Sequence, residues 1–257
     1  MKSIALAAVL FLAVAFGASA QVDAESRVYN WDELKPVKDE FRIRRSIIDG
    51  TTRILASFTV HASTLEPGLV PHASHTHADE EELIIIREGS LRATISGQSR
   101  VLGPGSIAFV IPGEEHGFEN TGDKTTVYYI LKFKSKTPMD LERARRAGGS
   151  FMIDWNEIAM NKTEKGARRN IVDRPTAMFK RFEMHVTTLN AGLSSHAPHT
   201  HTAEEMIIIR SGEASMQIAE SHQAAHPAGV VFLSSMIPHA LANIGDGATE
   251  YYAFQWE

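Results

Sequence analysis

The chain has 257 residues, 43% hydrophobic and 22% charged, the composition of a folded globular protein rather than a disordered or fibrous one. Its formal net charge of −5, with no basic patch, argues against nucleic acid or an anionic membrane as partner. The absence of cysteine removes disulfides, thiolate metal ligands and a cysteine nucleophile together, so any metal must be held by nitrogen and oxygen.

The first element is an export signal over residues 1–20. Met1-Lys2 gives a positive start, Ile4 to Phe16 is an unbroken apolar run, and Ala18-Ser19-Ala20 supplies the small residues a signal peptidase needs before Gln21. The apolar run is too short to cross a bilayer, and no cysteine follows it to carry a lipid. The mature protein is therefore expected to be periplasmic or secreted, with no membrane association after cleavage. Its length suits two domains of a little over 100 residues, each large enough to bury its own core. We place the first at 21–137, a linker at 138–150 and the second at 151–257.

The halves are copies of each other. Trp31 recurs as Trp155, Arg44-Arg45 as Arg168-Arg169, Asp49 as Asp173 and Phe58 as Phe182, all at a shift of 124. His61, Thr64, Leu65 and Gly68 return as His185, Thr188, Leu189 and Gly192. One extra residue in the first acidic loop then reduces the shift to 123, at which Ile84 to Arg87 match Ile207 to Arg210, Asn120 matches Asn243, and Tyr128-Tyr129 match Tyr251-Tyr252.

Each half is predicted to be a set of short strands. Leu83 to Ile86 and Ile107 to Ile111 are rich in β-branched residues, and turn signals at Glu88-Gly89, Gly103-Pro104-Gly105 and Thr121-Gly122-Asp123 bound such runs. Strands this short and regularly spaced indicate a sandwich or small barrel. One helix is expected, Met139 to Arg146, ending at Ala147-Gly148-Gly149 between the halves.

The twelve histidines are not scattered. His75 and His77, two residues apart, can point to one face of a strand, Glu82 opens the next strand, and His116 arrives from a later one. The second half repeats this with His199, His201, Glu205 and His239. Three neutral imidazoles and a carboxylate suit a borderline divalent ion. His72 and His196 lie three residues before the pairs, an odd offset that would turn them away from a metal, and are taken as loop or outer-face positions. Arg44-Arg45 and Arg168-Arg169 are either carboxylate-binding guanidiniums or surface strand residues. Glu80, Glu81 and Glu204 are expected to be solvated, and Arg87 and Arg210 to face solvent.

These motifs resemble the cupin superfamily. Its first motif is matched by His75, His77, Glu82 and Gly89, and again by His199, His201, Glu205 and Gly212. Its second is matched by Pro112, Gly113, His116 and Asn120; the second half keeps His239 and Asn243 but reads Ser234-Ser235-Met236-Ile237-Pro238 in place of proline-glycine. The resemblance implies an all-β protein of two tandem jelly-roll β-barrels, a bicupin. It further implies a divalent transition metal (Mn, Fe, Zn, Ni or Cu), up to two per chain, and a small-molecule substrate, with a homo-oligomer left open. The expected function is a metal-dependent enzyme acting on a small oxygen-rich metabolite such as a carboxylate, enediol or sugar derivative, by oxygenase-like or lyase/isomerase-like chemistry. The alternatives are a metal-stabilised module that binds a sugar or small molecule without turnover, and a hydrolase like the ureidoglycine aminohydrolases. Ala73-Ser74 and Ala197-Pro198 stand before the pairs, where oxalate enzymes carry arginine and tryptophan, which counts against oxalate. No residue is singled out as catalytic.

Overall fold

The computed structural model describes residues 22–257; the expected export signal lies outside the described residues. Each half is a two-sheet, jelly-roll sandwich. In the first, a seven-stranded antiparallel sheet runs in the order Phe151–Ile153, Ile107–Val110, Glu81–Glu88, Thr126–Ser135, Leu55–Leu65, Ile43–Gly50, Pro36–Lys38. It faces a three-stranded sheet of Gln98–Leu102, Leu91–Ile95 and His116–Glu119. The second half repeats both sheets, with Arg27–Tyr29 at the edge beside Val230–Leu233.

The edge strands are exchanged. Arg27–Tyr29, from the start of the described chain, pairs with Val230–Leu233 of the second half. Phe151–Ile153, which follows the helix, pairs back onto Ile107–Val110 of the first. The two strands occupy equivalent places in the repeat, so each half completes the other's large sheet.

Period-two alternation explains why the central strands are apolar on both faces. In Glu81–Glu88, Leu83 and Ile85 join the largest buried cluster, whereas Ile84 and Ile86 join the interior of the first sandwich. In Glu204–Ser211, Met206 and Ile208 belong to that same largest cluster, and Ile207 and Ile209 to the interior of the second sandwich. The largest cluster therefore takes residues from both halves, including Phe58, Phe133, Phe182, Phe254 and Trp256. A sheet buried on both faces needs two cores, and the halves share one of them.

Polar groups on the shared face are paired across it. Glu81 and Glu204, expected to be solvated, are instead fully buried. They neighbour Glu82 and Glu205, and alternation sends the first of each pair to the shared face when the second faces the sandwich interior. Glu81 accepts from the Thr176 hydroxyl at 2.8 Å and the Ala177 N–H at 2.6 Å. Burial pushes its carboxyl up to about 7, with those two hydrogen bonds opposing. Glu204 accepts from the Thr52 hydroxyl at 2.6 Å and the Trp256 indole at 3.1 Å. The Tyr129 hydroxyl donates to the Ala228 carbonyl and the Tyr252 hydroxyl to that of Gly105, another reciprocal pair.

Arg87 and Arg210 also differ from expectation. Arg45 and Arg87 lie over the ring of Trp31, 4.5 and 4.3 Å from its centre, and Arg169 and Arg210 over Trp155 at 4.5 and 3.8 Å. Each tryptophan follows an exchanged strand, so cation–π contacts secure both crossings.

The helix is Leu141–Arg146, two residues shorter than predicted because Asp140 caps it by accepting from the Arg143 N–H at 2.8 Å. Arg143 in turn donates to the Thr176 and Ala177 carbonyls, tying the helix to the loop that receives Glu81. Among the described residues no helix is long and apolar enough to cross a membrane.

Glu81→Ala would leave the Thr176 and Ala177 donors buried without a partner. It is expected to cost about 1–3 kcal/mol in denaturant unfolding, and to be non-additive with Thr176→Val. A loss below about 0.5 kcal/mol would show that the clasp does not hold the halves together.

Candidate functional site

The repeat brings the predicted ligand residues together in each half. His75 sits on the loop before Glu81–Glu88 and is bridged to His116: the His75 N–H donates to the His116 carbonyl at 3.0 Å, and the return bond is 2.9 Å. His199 and His239 form the same bridge at 3.1 and 3.0 Å. In the first half the ligand atoms of His75, His77, Glu82 and His116 all lie within 4.8 Å of one another. His77 Nε2 is 3.0 Å from both His75 Nε2 and Glu82 Oε2. In the second half the mutually close set is His199, His201 and His239, and Glu205 joins through His201 at 3.0 Å and His239 at 3.2 Å.

These separations fit a metal. Donor atoms about 2.1 Å from an ion and at right angles to each other stand about 3.0 Å apart. The imidazoles are also presented correctly. His116 Nδ1 faces the Glu114 carbonyl at 3.0 Å, His239 Nδ1 that of Ile237 at 2.9 Å, and His201 Nδ1 that of Ala203 at 2.9 Å. A carbonyl acceptor fixes the proton on Nδ1 and leaves the Nε2 lone pair free for a metal. His116 Nε2 and His239 Nε2 are buried and make no hydrogen bond, although an unpaired polar atom in such a place is costly.

The charge states of the two carboxylates and of His75 and His199 agree. Burial opposes ionisation of Glu82, but the His116 and His77 imidazoles and the Lys132 charge beside it outweigh burial and hold the carboxyl far below the usual carboxylate range. Glu205 is held low in the same way by His201 and His239. Burial, then the neighbouring imidazoles, lowers His75 to about 4 and lowers His199 as well. His201 is raised, first by its bond to Glu205.

The remaining motif residues shape the site. Asn120 donates to the Leu65 and Lys124 carbonyls and accepts from the Gly122 N–H; Asn243 repeats this with Leu189, Gly247 and Gly245. These asparagines pin a turn and touch no metal-site atom. Gly113, at φ 83°, donates its N–H to the His77 carbonyl, and Met236, at φ 65°, does the same to His201. The second half thus keeps the turn without the glycine that relaxes it. His72 and His196 are exposed loop residues, as expected, yet they do not turn away. Their rings lie edge-on to His75 and His199, with centres 4.5 and 4.0 Å apart.

Sequence reasoning missed Lys132, whose Nζ stands 3.0 Å from His77 Nε2 and 3.4 Å from Glu82 Oε2. Alternation from the interior residues Tyr128 and Ile130 could have placed it on the site face. A cavity of about 580 Å3 opens beside the first cluster, and one of about 740 Å3 beside the second.

A model of the cupin domain matches residues 62–132 and again 185–254. The chain belongs to the cupin family. No curated protein sequence matches it. Among solved structures this bicupin is similar to protein Ylba from E. coli, at 16% identity over 93% of this chain and 95% of that one, with a TM-score of 0.70. It is similar to AerE from Microcystis aeruginosa at 16% identity, over 87% and 97% of the two chains, with a TM-score of 0.66. A variant of Bacillus subtilis oxalate decarboxylase OxdC aligns at 16% identity over 94% of this chain and 78% of that one, with a TM-score of 0.66. At these identities the likeness is one of fold. The His/Glu clusters and the family together support a divalent metal.

Met236 is largely exposed and held in the left-handed region. Met236→Gly is expected to stabilise the protein by up to about 1 kcal/mol in thermal unfolding, whereas Gly113→Met should destabilise it by at least as much. Equal and small effects would show that the turn carries no strain.

Proposed function

We propose that the protein is an exported, metal-dependent bicupin enzyme that binds a small oxygen-rich molecule at a divalent metal held by His75, His77, Glu82 and His116, with His199, His201, Glu205 and His239 forming a second centre. The observation that carries this reading is the pair of buried, unpaired Nε2 atoms of His116 and His239, each beside a carboxylate and other imidazoles. A first-row divalent ion suits such nitrogen and oxygen donors. B. subtilis oxalate decarboxylase, of similar fold, has Mn(II) centres.

A metal here would supply Lewis acidity and an open position for an oxygen ligand. The chain's own groups do the rest. Glu82 and Glu205, ionised and almost enclosed, offset the ion's charge, and the carbonyls behind His116, His201 and His239 keep the imidazoles aimed. The cavities of about 580 and 740 Å3 have room for a small metabolite beside the ligands. Export of the mature chain rests on the composition of residues 1–20.

Elemental analysis of the purified mature protein should find about two divalent ions per chain. His77→Ala and His201→Ala should each remove one of them and lower thermal stability, since a bound ion stabilises the folded state. Turnover of an oxygen-rich substrate, screened with oxygen uptake recorded, should be lost with at least one of the two changes. Full metal content in both variants would overturn the ligand assignment. Loss of metal and stability with a bound ligand never turned over would favour a binding module.

A further inference from the structure

The two pockets have the same ligands but opposite surroundings. In the second, Arg168 is engaged through two of its three nitrogens: its guanidinium donates to Glu183 at 2.9 Å and to Asn170 at 2.7 Å. Glu183 also holds His185 Nδ1 at 2.8 Å, so the cation, the carboxylate and the imidazole form a closed set. The repeat puts Thr59 in the first half where the second has Glu183, and Ser46 where it has Asn170. Neither replacement can neutralise a guanidinium. Arg44, the counterpart of Arg168, has no carboxylate within 4.0 Å among the described residues, and its Nε is buried without a hydrogen-bond partner. Arg42 lines the same cavity where the second half has Gly166, and Lys132 lines it where the second half has Gln255. Arg42 leans weakly on Asp39, 3.5 Å away, and its Nε too lacks a hydrogen bond.

The charge balance follows. The first cavity is lined by three cationic side chains, Arg42, Arg44 and Lys132, against one carboxylate, Glu82, leaving +2. The second is lined by two, Lys165 and Arg168, against three carboxylates, Glu164, Glu183 and Glu205, leaving −1. His61, which also lines the first cavity, is lowered to about 3 by burial and then by Arg44 and Arg42, and adds no charge. An ion at each centre would raise both totals equally and preserve the difference.

We infer that the first pocket is the substrate pocket for an anion, a small carboxylate or dicarboxylate that reaches the metal centre with one end and the Arg44 guanidinium with the other. The second pocket, whose arginine is already clamped by Glu183, discriminates against the same ligand. Thr59 and Glu183 are the residues that set this difference. Guanidinium is suited to the role because its planar donor fork pairs with a carboxylate and keeps its charge at every working pH. The inference rests on the metal-centre reading above for the ligand's inner end, but not for the cationic wall.

The test is isothermal titration of the mature, metal-loaded protein with malonate and, in parallel, with uncharged propane-1,3-diol, the metal content being measured on the same samples. Malonate should bind at two classes of site or at one, with the tighter class far stronger than any diol binding. Arg44→Gln and Thr59→Glu should each weaken the tighter class by about tenfold or more while both metals are retained. Glu183→Thr, which frees Arg168, should strengthen the weaker class or create it. Thr59→Glu introduces a clamp already tolerated in the other half, so it remains decisive if Arg44→Gln fails to fold. The proposal falls if malonate and the diol bind alike, if Arg44→Gln and Thr59→Glu leave malonate binding unchanged, or if Arg168→Gln rather than Arg44→Gln removes the tighter class. A wild-type protein that retains no metal yet shows an Arg44-dependent malonate site would sink the metal reading and leave this one standing.

Discussion

Everything in this molecule depends on strands that are buried on both faces. An antiparallel sheet usually keeps one face for solvent, but Glu81–Glu88 and Glu204–Ser211 cannot, because their alternate residues enter two different cores. The face turned inward forms the pocket of its own sandwich. The opposite face can be covered only by the other half. Site and association are therefore set by the same strand, residue by residue: Glu81 binds the neighbouring half, and Glu82, one position on, turns to the metal centre.

The cost of this arrangement shows in the polar groups. Four carboxylates, one at each centre and two on the shared face, are buried or nearly so, and each is reached by donors from elsewhere in the chain. Ionised groups in such places are tolerated only when well bonded. Glu82 and Glu205 have imidazoles, and Glu204 has Thr52 and Trp256. At Glu81 burial outweighs the two hydrogen bonds and carries the carboxyl up to about 7, whereas at Glu82 the imidazoles and Lys132 outweigh burial and hold it far below the usual range.

Much of this was legible in the sequence. The in-register repetition of His75, His77, Glu82 and His116 as His199, His201, Glu205 and His239 marked both clusters, and glycine-bounded Ile and Val runs marked the strands. The shared core was not legible. Glu81 and Glu204 looked solvated because a single domain considered alone has an outer face, and nothing local says that a second domain will cover it. Arg87 and Arg210 were missed because the tryptophans they contact lie more than fifty residues away in the sequence, each just after an exchanged strand. Lys132 was missed because a lone lysine on a strand ordinarily marks the solvent side. The difference between Thr59 and Glu183 was visible, but it acquired meaning only when both were found to line equivalent cavities beside an arginine.

The exchange of Arg27–Tyr29 and Phe151–Ile153 also bears on how the protein comes into being. A chain made from its N-terminus reaches residue 137 with Ile107–Val110 as a bare sheet edge, because the strand that covers it has yet to be made. The segment Arg27–Tyr29 waits longer still, since its partner Val230–Leu233 is nearly the last strand to appear. Uncovered edges and apolar faces invite pairing with other chains. The first large sheet lacks its edge until residue 153 is made, and the shared core lacks half its members until the second half follows, so the nascent protein stays unfinished, and in need of protection, for much of its synthesis.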